Sequence, residues 1–290
     1  MSKVLIKRDG RIARIVLNRP ERLNAIDDEV PVLLQERVRE AEADDAIHVI
    51  VLSGAGDAFC AGYDLTYYAE AAGGDGNAVT QEMPWDPMVD YRFMWANTQR
   101  FMSLWRCTKP VIAKVHGHAV AGGSDIALCC DFIVMEESAK IGYMPARVWG
   151  CPTTAMWTYR IGAQNAKRML MTGDKIDGRE AVAMGLALSC HPPDELDEAV
   201  DRLARRMESV PRNQLAMQKL VINQAIEAMG LNETQRLATI FDGITRHSPE
   251  GLAFKATSER DGWKAAVDRR DRGTWDWTRD RPINPRGSGE

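Results

Sequence analysis

The chain changes its apolar rhythm several times, and each change marks an element. Val4 to Lys7 and Ile12 to Leu17 are short apolar-rich runs separated by Asp9-Gly10, a pattern that predicts a β-hairpin. After Asn18-Arg19-Pro20 the period lengthens. Val30, Leu33, Leu34, Val38 and Ala41 follow helical spacing, with Asp27 and Asp28 at the N-terminal end. Ile47 to Leu52 is a β-branched run ending at Ser53-Gly54-Ala55-Gly56, which predicts a buried strand entering a glycine loop. Val111 to Val115 repeats that arrangement. It ends at Gly117 and leads through Gly122-Gly123 into the helical positions Ile126, Ala127 and Cys130; Phe132 to Met135 is a third strand. Strands alternating with helices predict an α/β fold with buried strands.

Residues 70 to 95 interrupt the alternation. Gly73 to Asn77 read as a flexible stretch, and Met83-Pro84-Trp85-Asp86-Pro87 as an aromatic, proline-rich one. Such a loop is either a pocket wall or a surface excursion. Beyond Glu195 the pattern turns helical. Leu196, Ala199, Val200, Leu203, Ala204 and Met207 share one face, and further helices are predicted over 212–229, 233–245 and 262–269. The resulting division is a core over 1–195, a helical region over 196–270 and a polar tail over 271–290. Trp275 and Trp277 suggest that part of the tail docks.

Composition narrows the function classes. The net charge is −4 over 290 residues. That balance points to neither nucleic acid nor an anionic membrane as a partner. The N-terminus lacks the apolar region of a signal peptide, and no run has the length of a membrane span. Cys60, Cys107, Cys129, Cys130, Cys151 and Cys190 form no CxxC pair and no zinc-ligand spacing. They read as buried thiols of a cytoplasmic protein, with no metal.

Two glycine-rich turns carry the candidate chemistry: Ala58-Phe59-Cys60-Ala61-Gly62-Tyr63-Asp64-Leu65, and His116 through Ala127 with Gly122-Gly123 at its centre. Each follows a buried strand and opens toward a helix. Backbone N–H groups there have no intrahelical partner and lie at the positive end of the dipole. Two of them converging on a point make an anion site, and glycine allows close approach.

These turns resemble the two signature segments of the crotonase (enoyl-CoA hydratase/isomerase) superfamily. Leu17-Asn18-Arg19-Pro20 with Arg22-Leu23-Asn24-Ala25, Cys107 to Ala113, Arg168 to Gly173 and Ala181 to Ala187 resemble further family segments. The ordered set covers about residues 1 to 270. The resemblance implies an α/β spiral of ββα units, the crotonase (ClpP-like) fold, with C-terminal helices that build a homotrimer or hexamer. It implies an acyl-CoA thioester as substrate, with coenzyme A part of that substrate and no permanently bound cofactor. The thioester oxygen would be held by the N–H groups of Tyr63 and Gly122, with Gly62 and Gly123 beside it. Arg22, Asn24 and Ala61 are the matching coenzyme A contacts, and for Arg22 an ordinary exposed charge is the competing reading.

The acids are less regular. The first of the two glutamates used by the family's hydratases matches Asp125, one methylene shorter. It reads as a catalytic acid–base group or as a cap of the first helical turn. The second falls on Pro145, and a later position that some relatives use falls on Thr153. Residues 139 to 173 contain no Asp or Glu. Tyr143, Arg147, Thr153 and Thr154 are the polar groups of that neighbourhood. Arg147 suits a substrate carboxylate or a structural ion pair. His118 and His116 read as packed residues. Three functions compete: a hydratase or isomerase in fatty-acid or related lipid catabolism, with Asp125 alone; a decarboxylase or C–C hydrolase of the same fold; and a non-catalytic acyl-CoA-binding protein.

Overall fold

A computed structural model describes residues 2–70, 81 and 84–283. The glycine stretch from Gly73 to Asn77, and Met83, lie outside the described residues. The first hairpin pairs β1 (Val4–Asp9) with β2 (Ile12–Leu17), Asp9 opposite Ile12. From β2 the sheet continues in parallel through β3 (Val49–Gly54), β4 (Val111–Val115), β6 (Phe132–Glu136) and β9 (Ser189–His191). Parallel neighbours need crossovers. The first is α1 (Glu29–Ala43), which buries Val30, Leu34, Val38 and Ala41.

The strands are apolar on both faces because both faces are covered. Ile50, Leu52, Val111 and Ala113 point into the main core with α1. Val49, Val51, Ile112 and Val134 point the other way, onto Leu196, Ala199, Val200 and Ala204 of α7 (Leu196–Glu208). The period-two alternation therefore serves two layers. It also joins α7 to the sheet, although its sequence position groups it with the C-terminal helices.

A second, smaller sheet positions the glycine turns. β5 (His118–Val120) pairs in parallel with β7 (Lys140–Gly142), and β7 pairs with β8 (Lys175–Ile176). Isolated parallel bridges, Cys60 to Ala119 and Ile26 to Tyr63, extend it toward the first turn. Residues 118–120, 140–142 and 175–176 are too short to stand out as strands in the sequence.

The stretch read as a loop up to residue 95 is helical from Pro87 onward. α2 (Pro87–Phe101) starts at Pro87, with Asp86 accepting a hydrogen bond from the Met88 N–H at 2.9 Å. Asp-Pro is a helix start, and the aromatics masked it. Beyond α3 (Ser103–Arg106) and α4 (Gly122–Leu128), the chain adds α5 (Met156–Thr172) and α6 (Gly178–Ala183). After α7 come α8 (Arg212–Ala228), α9 (Leu231–His247), α10 (Pro249–Asp261) and α11 (Trp263–Arg272). α10 has no counterpart in the sequence reading; its start is a Ser248-Pro249 cap, the serine accepting from the Gly251 N–H. Phe254 of α10 is fully buried between Trp149 and Trp277, ring centroids 5.2 and 5.4 Å away. The tail is thus docked through Trp277.

Candidate functional site

The two glycine turns lie side by side. The Cys60 N–H donates to the His118 carbonyl at 2.8 Å, and the Val120 N–H to the Cys60 carbonyl at 3.0 Å. Tyr63 and Gly122 stand at equal offsets from the bridged pair Cys60 and Ala119. A Cβ built on Gly62 would stand 3.3 Å from the Gly122 nitrogen, so the two turns run close together just before Tyr63. The first bridge around Ile26 uses the Gly62 carbonyl and the Asp64 N–H, and the Tyr63 N–H between them donates to no described residue. Gly122 is the first residue of α4, where an N–H has no helical acceptor, and it too is undonated.

The turns are tightly fixed. Gly62 has φ +91°, and a Cβ there would stand 2.7 Å from Ala121 Cβ. A Cβ at Gly123 would stand 2.2 Å from the Cys60 carbonyl oxygen. These two glycines therefore let the turns approach each other. Ala121, just before Gly122, has φ 51° and ψ −127°, a costly conformation for a residue with a side chain. Its N–H is anchored on the Gly142 carbonyl at 2.9 Å.

A cavity of about 210 Å³ opens over this floor. Ala61, Tyr63, Gly122, Asp125, Tyr143 and Pro145 line it, and Tyr68, Phe93, Met94 and Trp149 make its walls largely apolar. Asp125 is 4% exposed. The Thr154 hydroxyl donates to its Oδ1 at 2.6 Å, so it is not spent on a cap. Burial pushes its pKa up to about 8; the Thr154 hydrogen bond opposes this and the Asp242 charge adds to it. At neutral pH it is a protonated acid. Burial also raises the Tyr63 and Tyr143 phenols, which keep their protons, and it pushes the Cys151 thiol up to about 12.

The other predicted residues separate. Asn24 is buried, and its amide is used within the chain: Oδ1 accepts from the Arg19 N–H at 2.8 Å, and Nδ2 donates to the Ala55 and Ala58 carbonyls at 2.8 and 2.7 Å. Its side chain braces the first turn rather than reaching outward. Arg22 is exposed, beside Lys3 and Arg19 in a shallow depression. Arg147 is exposed and packs along Gly173, away from the cavity. The substrate-binding role given to it on sequence grounds does not fit that position. His118 is exposed rather than packed, and half-buried His116 meets the Gly56 carbonyl through Nε2 at 2.8 Å. Thr153 is paired with the Thr98 hydroxyl at 2.6 Å.

The sequence reading missed the roof. α9 and α11 lay Asp242, Arg246, Trp263, Val267 and Arg270 over the same cavity. Arg246 donates to Asp242 Oδ2 at 2.7 Å and to Asp90 Oδ1 at 3.0 Å, all three buried. The i, i+4 spacing of Asp242 and Arg246 was visible, but such pairs are common on exposed faces. No group of three or more potential metal-ligating side chains occurs among the described residues.

A family model described as enoyl-CoA hydratase/isomerase matches residues 7–255. The chain belongs to the enoyl-CoA hydratase/isomerase family. A solved enoyl-CoA hydratase structure from Mycobacterium smegmatis superposes with a TM-score of 0.88 at 44% identity, over 94% of each chain. A Thermus thermophilus protein provisionally named an enoyl-CoA hydratase is 31% identical over 82% of this chain and 90% of its own. The crotonyl-CoA hydratase of Syntrophomonas wolfei is 26% identical, over 92% of this chain and 95% of its own. The crotonase-type α/β architecture expected from the two turns is thus established at the level of fold and family. Asp125 and Pro145, the positions that the resemblance matched to the family's two glutamates, both line the cavity.

Proposed function

We propose that this enoyl-CoA hydratase/isomerase family enzyme binds an acyl-CoA thioester with its carbonyl oxygen between the N–H groups of Tyr63 and Gly122. What supports this reading is that two N–H groups without a described acceptor lie in turns joined by the Cys60–Ala119 bridge, and that Tyr63 and Gly122 line one largely apolar cavity. Charge that develops on the thioester oxygen meets donors already in place, each worth about 3–4 kcal/mol in a transition state. Asp125, within the same cavity, moves the proton at the α-carbon. Its raised pKa suits a group that both gives and takes a proton near neutrality.

The acyl chain occupies the wall formed by Tyr68, Phe93, Met94 and Trp149. Ala61 and exposed Arg22 lie on the route toward coenzyme A; in the depression around Arg22, Lys3 is paired with Asp27 and Glu29 and Arg19 with Asp64, which leaves the Arg22 cation to meet a phosphate. No separate cofactor takes part. Enoyl thioesters of fatty-acid or related lipid catabolism are the substrate class. Exposed Leu220, Val221 and Ile222 of α8 and Ile240, Phe241 and Ile244 of α9 support assembly as a homotrimer or hexamer. Six free thiols support a cytoplasmic setting.

The test is a panel of enoyl- and malonyl-type CoA thioesters, with products followed by mass spectrometry. Wild type turns over enoyl thioesters, and Asp125→Asn loses about 10²–10⁴-fold in rate with thioester binding kept. Full activity in Asp125→Asn refutes the role of Asp125. Stabilisation by thioesters in thermal melts without turnover of any of them makes the protein a binder only.

A further inference from the structure

Two carboxyl groups line the cavity, and they come from unrelated parts of the chain: Asp125 from α4 in the floor and Asp242 from α9 in the roof. We propose that Asp242 is a second catalytic residue, the base that activates water, delivered by the C-terminal region to a wall where the segment after β7 has no acid. The inference rests on the thioester reading above.

Position is the first argument. A Cβ built on Gly150 would stand 2.8 Å from Pro145 Cβ, 3.2 Å from Tyr143 Oη and 3.8 Å from Asp242 Oδ1. The Asp242 oxygen therefore borders the same spot as Pro145. A residue distant in sequence places an acid there.

Fixation is the second. Asp242 Oδ1 accepts from the Cys151 N–H at 3.0 Å, and Oδ2 accepts from Arg246 Nη1 at 2.7 Å. Arg246 is held from behind by Asp90, whose Oδ2 takes the Gln81 amide at 2.7 Å and the Trp85 indole N–H at 2.5 Å. His247 lies 3.8 Å from Asp90, its ring stacked on Trp85. An ionised carboxylate has about four lone-pair directions, so two donors leave each oxygen able to accept a proton. The side chain is locked in one orientation, as a base requires.

Environment is the third. Around Asp242 the facing groups are the Arg246 cation, Asp90, Asp125, the Cys151 thiol and the Tyr63 and Tyr143 phenols. Burial raises its pKa, and Arg246 acts against burial. Asp125 faces the same two phenols and Asp242 but has no cation beside it, and is protonated at neutral pH. The difference between the two carboxyls is the Arg246 cation 2.7 Å from Asp242, which favours the carboxylate form there, whereas Asp125 has only the Thr154 hydroxyl; such a difference divides a pair into a base and an acid.

The step balances. A water proton goes to Asp242 as the water oxygen bonds the β-carbon of a 2-enoyl thioester. The π electrons shift toward the thioester oxygen, held by the Tyr63 and Gly122 N–H groups. The α-carbon then takes the Asp125 proton. Water is added overall, and return of one proton from Asp242 to Asp125 through solvent restores the enzyme.

The experiment compares two reactions of the full chain: hydration of crotonyl-CoA, and exchange of the α-proton of butyryl-CoA in deuterated water. Exchange needs the N–H pair and Asp125 but no activated water. In Asp242→Asn, hydration should fall about 100-fold while exchange stays within about threefold of wild type. Unchanged hydration overturns the proposal, and so does parallel loss of both reactions, which a merely structural Asp242 would give. Wild type supplies a test independent of folding. Its hydration should fall as pH rises through about 8 and Asp125 loses its proton, while exchange rises through the same value. Hydration that instead rises through about 8 makes Asp125 the base for water and overturns the proposal. If wild type neither exchanges nor binds the thioester, the thioester reading itself fails.

Discussion

The floor and the roof of the cavity are built on different principles. The floor is backbone: two short turns, joined by the Cys60–Ala119 bridge, present N–H groups whose positions depend on φ and ψ. The roof is side chain: Asp90, Arg246 and Asp242 form a buried ion-pair chain in which each charge depends on its neighbour. The N–H pair of this floor tolerates changes of side chain at Tyr63 and is intolerant of changes in backbone freedom. The roof has the opposite sensitivity. Its charges are stable only as a set, because an isolated buried charge costs far more than a pair repays.

Breaking the roof should give the largest effect. Arg246→Met leaves Asp90 and Asp242 as buried carboxylates without their shared cation. We expect about 3–5 kcal/mol of destabilisation in denaturant unfolding. A loss below about 1 kcal/mol would mean the three charges are far better solvated than their burial indicates.

Next comes the floor. Gly62→Ala forces a side chain into φ +91° and against Ala121. The Tyr63 N–H should move off its direction, and the rate should drop about 10²–10³-fold, the cost of one lost donor. Wild-type rates with this variant would show that the turn is softer than the contacts imply.

Asp125, the one acid that the floor presents to the cavity, links the site to pH. Its ordinary carboxyl value of 3.8 is raised to about 8 in the fold. Between these values the native state binds more protons than the unfolded state, so stability falls as pH rises. The limiting slope is about 1.4 kcal/mol per pH unit. Above about 8 that slope vanishes. Asp125→Asn should be more stable than wild type at pH 8 and show a flatter profile from pH 4 to 8. Parallel profiles for the two proteins would place Asp125 in contact with water.

The smallest effect belongs to the rim. Arg22 is exposed, so Arg22→Ala should raise KM for a CoA thioester about two- to fivefold at low salt with kcat unchanged, and less at high salt. An unchanged KM would leave it as an ordinary surface charge.

Much of the fold was legible because its signals are local. The hairpin over Asp9-Gly10, the β-branched strands β3 and β4, and the periodic helices α1 and α7 follow from neighbouring residues. The three short strands of the second sheet were not legible. They are two or three residues long and exist through their pairing. α2 was half hidden because its capping Asp86-Pro87 sits among aromatics that resemble a loop.

The same division runs through the site. The glycine turns and Asp125 stand out within short segments, since an undonated N–H at a helix start and a close backbone approach are properties of a few consecutive residues. Asn24 shows the limit of that reading. Its type and position were visible, but its three bonds to Arg19, Ala55 and Ala58 place it as a brace. Arg147 shows the same limit, its side chain turned toward Gly173 and away from the cavity.

The sequence by itself determined the family, the alternation of strands and helices, the two turns and the absence of an acid between residues 139 and 173. Tertiary structure alone decided which face each arginine takes, and that α9 returns over the site to set Asp242 beside Pro145. The reason is physical. A turn is specified by the torsion angles of adjacent residues, whereas Asp242, Asp90 and Pro145 become neighbours only when packing brings three distant segments together.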